Sequence, residues 1–379
     1  MREDNNIPAE RAGGVLCIDL TALQNNWKQL AKMSEPAECG AAVKAQCYGI
    51  GLDESVKALS AVGCKTYFVA LPDEGRQVRE AAPDAIIYVL CGLLSGQAKF
   101  YEKYDLRPAL ATPTQVSEWQ EFCKIQNKKL PAALHIESGI NRLGLTETQT
   151  RLLAKQTDAF AYFKLTLVMS HLACGDTPGD LKNEEQRQKF DQMRALLPDV
   201  PASLSNSPGA FLGRDFAYDM VRPGIALYGG NPFSDRANPM TSVAHLYAPL
   251  LQVRDICAGE TVGYSATWTA KRDTKIGIIG AGYRDGISRA LSSPASNGPA
   301  CVFVGGHYAP IVGRVSMDLI TVDLTDIPEE FQHEGQKVEL MGRNITVDDI
   351  ARWSGTIAYD VLTSLGSRYA RVYSGLESC

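Results

Sequence analysis

Residues 41–51, AAVKAQCYGIG, place an amine at the end of an apolar run. A buried ammonium is costly unless it is paired or gives up its proton. Without context, a lysine at a strand end is a surface residue whose stem lies along apolar neighbours. Lys44 is followed by Tyr48 and by two glycines, Gly49 and Gly51. Four other apolar segments are followed by chemically capable residues. Arg142 lies in ESGINRLG, His171 closes LTLVMSH, Asn206 and Ser207 close ASLSNS, and Arg222, Gly224 and Ile225 lie in RPGIALYG. A lysine that can lose its proton forms covalent links with carbonyl groups. Backbone N–H groups beside a serine hydroxyl suit a phosphate. Taken singly, the two arginines read as structural ion pairs and His171 as a satisfied core histidine.

The elements that must carry these residues alternate. Short apolar runs end near Lys44 and at YFVAL (67–71), AIIYVLC (85–91), PALAT (108–112), ALHIE (133–137), LTLVMSH (165–171), ASLSN (202–206) and GIALYG (224–229). Helical periods separate them, and the first helix opens on the capping-box sequence Thr21-Ala-Leu-Gln24. Eight such units predict a parallel (β/α)8 barrel over residues 15–240, with function at the C-terminal ends of its strands. From 241 to 379 helical periodicity largely stops, and YAPLLQVRDI, TKIGIIGAGY, ACVFVG, YAPIVGRVSMD, LITVDL and KVELMG read as strands. The fold class is therefore α/β followed by β: a barrel and then a mostly β domain with one short helix near 347–353. Residues 1–14 are expected to pack with the β domain or to be flexible.

Composition excludes much. The chain has 379 residues, 45% hydrophobic and 21% charged, with a formal net charge of −5. Its basic residues form no runs, so neither nucleic acid nor an anionic membrane is an expected partner. MREDNNIPAERAGG lacks the apolar core of a signal peptide, and no apolar run of about 18 residues suggests a membrane span. Ten scattered cysteines, Cys17, Cys91 and Cys257 among them, read as reduced, buried thiols of a cytoplasmic protein. GAGYRDG (280–286) fails as a dinucleotide loop: its last glycine is one residue too far and no helix pattern follows. The five histidines form no zinc pattern, and no metal site is expected.

A lysine at one strand end facing a phosphate cradle made by Ser207, Gly224 and their neighbours is what pyridoxal phosphate requires. The motifs AAVKAQCYGIG, ESGINRLG, RPGIALYG, VGYSATWTA, GYRDG and GRVSMD, in this order, resemble bacterial alanine racemases of the barrel type. The resemblance implies that Lys44 is the Schiff-base lysine and one of two catalytic bases. Tyr264 would be the other base, supplied across a homodimer interface. It further implies that Arg222 faces the pyridine nitrogen, with His171 as its buttress. Tyr48, Ser207 and Tyr359 would contact phosphate, helped by the N–H groups of Gly224 and Ile225, with Asn206 nearby. Arg142 and Met317 resemble contacts to the substrate carboxylate, and Tyr283 and Tyr359 the narrow inner gate.

Two bases on opposite faces of Cα, one serving each enantiomer, suit racemisation. Lys44 must then work as a neutral amine. Tyr264 needs a lowered pKa too, and His171 or Arg222 as nearby cations could supply it. Arg222 holds its proton, which keeps the pyridine nitrogen unprotonated and disfavours transamination. One position departs from the family. Seven residues before Arg142 the family commonly has a lysine, often carbamylated; this chain has His135. Arg142 is therefore expected to be oriented by a bound anion such as chloride or by a neighbouring carboxylate. The expected activity is interconversion of L- and D-alanine to supply peptidoglycan synthesis. The alternatives are a broad-specificity or serine racemase, a non-catalytic pyridoxal phosphate-binding barrel, and a barrel-type decarboxylase.

Overall fold

A computed structural model describes residues 7–293 and 297–374. The chain divides into two compact units. One comprises Leu23–Leu227 with Asn231–Met240, and the other the described residues up to Ala22, Tyr228–Gly230 and the described residues from Thr241.

The first unit is the barrel. Its parallel strands run in sequence order through Ala41–Ala42, Thr66–Val69, Ile86–Val89, Arg107–Leu110, Pro131–His135, Lys164–Met169 and Ala202–Ser203. Thr66–Val69 is buried throughout, as both-face coverage requires. The eighth strand is Met220–Val221, which pairs in parallel with Glu38–Cys39. Its neighbours complete the closure: Gly40 N–H donates to Val221 O, Ala42 N–H to Pro223 O, and Arg222 N–H to Ser205 O. This corrects the expected strand at 224–229, where Ile225–Tyr228 forms a 3₁₀ turn. An apolar run of that length does not distinguish strand from helical turn.

Helices separate the strands near the expected places, among them Leu52–Ala61, Pro72–Ala81, Pro113–Gln126 and Leu181–Arg194. Thr112 caps the third of these by accepting from Gln115 N–H, with Pro113 at the first helical position. The first helix, Leu20–Ser34, is capped by Asp19, whose carboxylate accepts from Ala22 N–H, and not at Thr21. Leu23, Trp27 and Leu30 are buried along it.

The second unit is mostly β. The 13-residue strand Ala244–Ile256 pairs antiparallel with Gly14–Asp19, Thr274–Ile279 and Lys337–Met341. Gly14–Asp19 also pairs in parallel with Tyr369–Ser374. Residues 15–19 thus join the β sheet and not the barrel, because their partners come from the far end of the chain. Gly13 N–H donates to Arg368 O, so residues just before that strand pack here too, while residues 1–6 lie outside the described residues. The expected short helix is Val347–Ser354, and a second, Ala358–Thr363, was not foreseen. Cys91 and Cys257 are exposed and Cys17 is disulfide-bonded, contrary to the reading of all three as buried thiols. Among the described residues, no helix is long and apolar enough to cross a membrane.

Candidate active site

The strand before Lys44 stops at Ala42, and Lys44 opens a tight turn. Ala45, Gln46, Cys47 and Tyr48 all have left-handed backbone, with φ from 51° to 56°. Each such L-residue costs about 1–2 kcal/mol, so four in succession require outside support. Val43 N–H donates to Phe68 O of the next strand, and Cys47 N–H to Val43 O. Gly49 and Gly51, at φ 89° and 105°, carry the chain out of the turn. The Lys44 amine is half-buried, and its pKa is lowered. Desolvation is the main cause and the Arg142 charge the second, while Glu74 and Cys91 oppose them.

Tyr48 lies against Gly224. A Cβ on Gly224 would come within 2.2 Å of the tyrosine hydroxyl, so only glycine admits this approach. Ser207 Oγ accepts the N–H groups of Gly224 (2.7 Å) and Ala226 (3.2 Å). That engages one of the two backbone donors expected for phosphate. The other, Ile225 N–H, is buried and has no acceptor among the described residues. Asn206 holds the neighbouring turn: its Oδ1 accepts from Gly209 N–H at 3.1 Å. A tyrosine hydroxyl, a serine and an unsatisfied backbone donor converging here fit a phosphate group.

Arg222 is 5% exposed. Its guanidinium donates to Ser203 Oγ and to Ser170 O, and it lies 5.8 Å from the centroid of the Phe68 ring. No carboxylate pairs with it among the described residues. Burial alone brings its pKa down to about 9, so it keeps its proton at neutral pH. His171 is not a hydrogen-bond partner of Arg222. Asn206 Nδ2 lies 3.3 Å from His171 Nε2, consistent with donation to a neutral ring. Desolvation, then the charges of Arg222 and Arg142, push His171 well below the usual imidazole range. His171 is therefore no cation, and that route to acidifying Tyr264 is removed.

His135 ends its strand with both ring nitrogens buried and, among the described residues, unpartnered. Burial first, then Arg222 and Arg142, hold its pKa down to about 4. Arg142 itself is exposed, and among the described residues nothing holds its guanidinium. The neighbouring carboxylate, Glu137, accepts the backbone N–H groups of Gly139 (2.5 Å) and Arg142 (3.2 Å). It shapes the loop and does not orient the Arg142 side chain.

The remaining expected residues belong to the β unit. Tyr264 stands in a 3₁₀ turn and is 71% exposed. Tyr283 and Met317 lie on two loops tied together: Tyr283 N–H donates to Ser316 O and Arg284 N–H to Met317 O, each at 3.0 Å. Arg368 braces the pair, donating to both oxygens of buried Asp285 and to Asp318. Tyr359 lies on the helix Ala358–Thr363.

The sequence reading missed Ser170, Ser203, Phe68 and Glu74. Ser203 ends its strand and Ser170 directly follows one, and both could have been found by that position; Phe68 looked like core. Among the described residues, no group of three or more His, Cys, Asp or Glu is arranged for a metal.

The family model for the alanine racemase N-terminal domain matches residues 18–232, and that for the C-terminal domain matches 243–373. Alanine racemase of Methylobacterium nodulans is 44% identical over 361 residues, covering 95% of this chain and 96% of that protein. A biosynthetic alanine racemase of Agrobacterium fabrum is 41% identical over 377 residues, covering 98% and 96%. Alanine racemase of Bartonella henselae, solved with covalently bound pyridoxal phosphate, superposes with a TM-score of 0.91 at 37% identity, covering 96% of this chain and 99% of that one.

Proposed function

The chain belongs to the alanine racemase family, and from that premise we propose that it is a pyridoxal phosphate-dependent isomerase interconverting L- and D-alanine. The observation that carries this reading is the barrel-mouth arrangement. A half-buried lysine with lowered pKa shares it with a Tyr48–Gly224–Ser207 cradle and a buried arginine that has no carboxylate partner among the described residues.

Pyridoxal phosphate, when bound, supplies an electron sink that makes the Cα proton of an amino acid removable. Lys44 would carry it, Tyr48, Ser207 and Ile225 N–H would hold its phosphate with Tyr359, and Asn206 would keep the adjoining turn in place. Lys44 accepts and returns a proton on one face of Cα, which its desolvation and the nearby Arg142 charge favour. Tyr264 of the partner subunit serves the opposite face; its high exposure in the single chain supports a contact to a second copy. Arg222 keeps its proton and would offer the ring nitrogen a hydrogen bond without giving up that proton. Arg142 and Met317 bind the substrate carboxylate, and Tyr283 with Tyr359 limits side-chain size. His171 and His135, both held neutral, leave Arg222 and Arg142 as the fixed positive charges beside them. We further infer a cytoplasmic homodimer that supplies D-alanine for peptidoglycan.

The test is D-alanine formation from L-alanine by purified protein with pyridoxal phosphate, alongside Lys44→Ala and Tyr264→Phe. Lys44→Ala is expected to abolish turnover. Tyr264→Phe at full rate in both directions would remove the two-base assignment. Rates on serine and lysine measure how narrow the gate is.

A further inference from the structure

The left-handed turn behind Lys44 is tied to the helix Pro72–Ala81 by one carboxylate. Glu74 Oε2 accepts from Ala70 N–H at 2.8 Å and Leu71 N–H at 3.0 Å, which is the ordinary work of an acidic residue at the third position of a helix. Its other oxygen does something the helix does not need. Glu74 Oε1 accepts from Ala45 N–H at 2.7 Å, and Ala45 is the residue after Lys44. A second tie runs beside it, from Gln46 Nε2 to Gln77 Oε1 at 2.8 Å. Cys47 and Tyr48 are buried, but Ala45 and Gln46 are exposed, so packing does not hold the first half of this strained turn; beside the backbone bonds from Gly49 and Gly51, these side-chain ties do.

We propose that Glu74 is a positioning residue for Lys44, its carboxylate clamping the left-handed turn that presents the amine to the cofactor. This inference rests on Lys44 being the cofactor-bearing base. The clamp needs two acceptor oxygens pointing opposite ways, and a glutamine has only one. Glu74→Gln therefore keeps the size and loses either the cap or the clamp. The charge matters as well. Of the groups felt by the Lys44 amine, Arg142 favours the neutral form, while Glu74 and Cys91 favour the protonated form. Glu74 thus sets the turn's geometry and moderates the loss of the proton.

The test compares Glu74→Gln and Glu74→Ala with the parent, and with Glu80→Gln as a control on the same helix. The measurements are kcat and KM for L-alanine, the pH profile of kcat, and absorbance-monitored formation of the covalent Lys44–pyridoxal phosphate link. Thermal unfolding of cofactor-free protein is followed in parallel. The expected result is a kcat lower by about tenfold for Glu74→Gln and about a hundredfold for Glu74→Ala, with KM nearly unchanged. The acid limb of the profile should move to lower pH in both, because removing the carboxylate lowers the lysine pKa further. Link formation should slow, and Glu80→Gln should match the parent. Parent-like kcat and acid limb in both Glu74 variants overturn the proposal. So does a loss of rate that only follows a loss of thermal stability, with the limb unmoved. Should Glu74→Ala not fold, Glu74→Gln decides by the same criteria. A parent that forms the link but makes no D-alanine sinks the racemase reading alone; the rate of link formation then judges Glu74, slower supporting the clamp and equal overturning it.

Discussion

The hydroxyl of Tyr48 fills the space that any side chain at position 224 would need, since a Cβ there would lie 2.2 Å from Oη and 2.9 Å from Cζ. The two residues are far apart in sequence and meet because Met220–Val221 pairs with Glu38–Cys39 and Ala42 N–H donates to Pro223 O, closing the barrel. Gly224→Ala must therefore displace Tyr48 or the turn that carries Ser207's two donors. Pyridoxal phosphate affinity is expected to fall by about tenfold or more, and stability by about 1–3 kcal/mol. Absorbance titration of cofactor-free protein measures the first and denaturant unfolding the second. Unchanged affinity would show that Tyr48 does not face the phosphate.

Ser203→Ala removes one of the two hydrogen-bond acceptors that a buried guanidinium finds among the described residues, leaving Ser170 O. An unpaired buried donor costs about 1–3 kcal/mol. The racemisation rate is expected to drop by about tenfold as Arg222 loses its fixed orientation. A rate equal to the parent's would mean that Ser170 O and the Phe68 ring suffice to hold it.

Stability should depend on pH through His135. The ring titrates near 4 when folded, mainly because it is buried and then because Arg222 and Arg142 repel its charge. In the unfolded chain it takes up a proton near 6.5. The unfolded state thus binds more protons between these values, and stability falls as pH drops through that window. Above 6.5 the ring is neutral in both states, and below 4 it is charged in both, so the loss is confined to the interval. It amounts to about 3 kcal/mol. His171 and His245 are shifted the same way, so the informative quantity is the difference from His135→Leu. In cofactor-free protein that variant should lose about 3 kcal/mol less than the parent between about pH 7 and 4. Equal losses would show that the His135 ring is not held neutral.

Asp285→Asn tests the brace beneath Tyr283. The carboxylate is buried, receives two donors from Arg368, and accepts Gly282 N–H at 3.0 Å. Replacing it leaves one carbonyl oxygen for three donors. Stability should fall by about 2–3 kcal/mol. Discrimination between alanine and larger amino acids should relax as the GYRDG turn loosens. Circular dichroism melts and the ratio of kcat/KM for alanine to that for serine report these separately; an unchanged ratio would place Tyr283 outside the gate.

The class of fold, the order of its parts and the kind of reaction were legible in the sequence. Apolar runs spaced by helical periods report a parallel barrel because each strand is buried on both faces, and that burial is written locally. Lys44, Ser207 and Arg222 were legible for the same reason: a polar group closing an apolar run must be paired, neutralised or put to chemical use. Tertiary structure alone decided what meets what. The eighth strand is Met220–Val221 because hydrogen bonds to Glu38–Cys39 select it, and residues 15–19 belong to the β sheet because their partners are the strands Ala244–Ile256 and Tyr369–Ser374. The neutrality of His171 and His135 comes from burial beside Arg222 and Arg142; Arg222 is distant in sequence from both, and Arg142 from His171. Glu74 reads in sequence as a helix cap, and only the folded chain turns its second oxygen toward Ala45. Local pattern encodes which surface a residue buries, whereas hydrogen bonds and Coulomb interactions between distant segments depend on distances that exist only after folding.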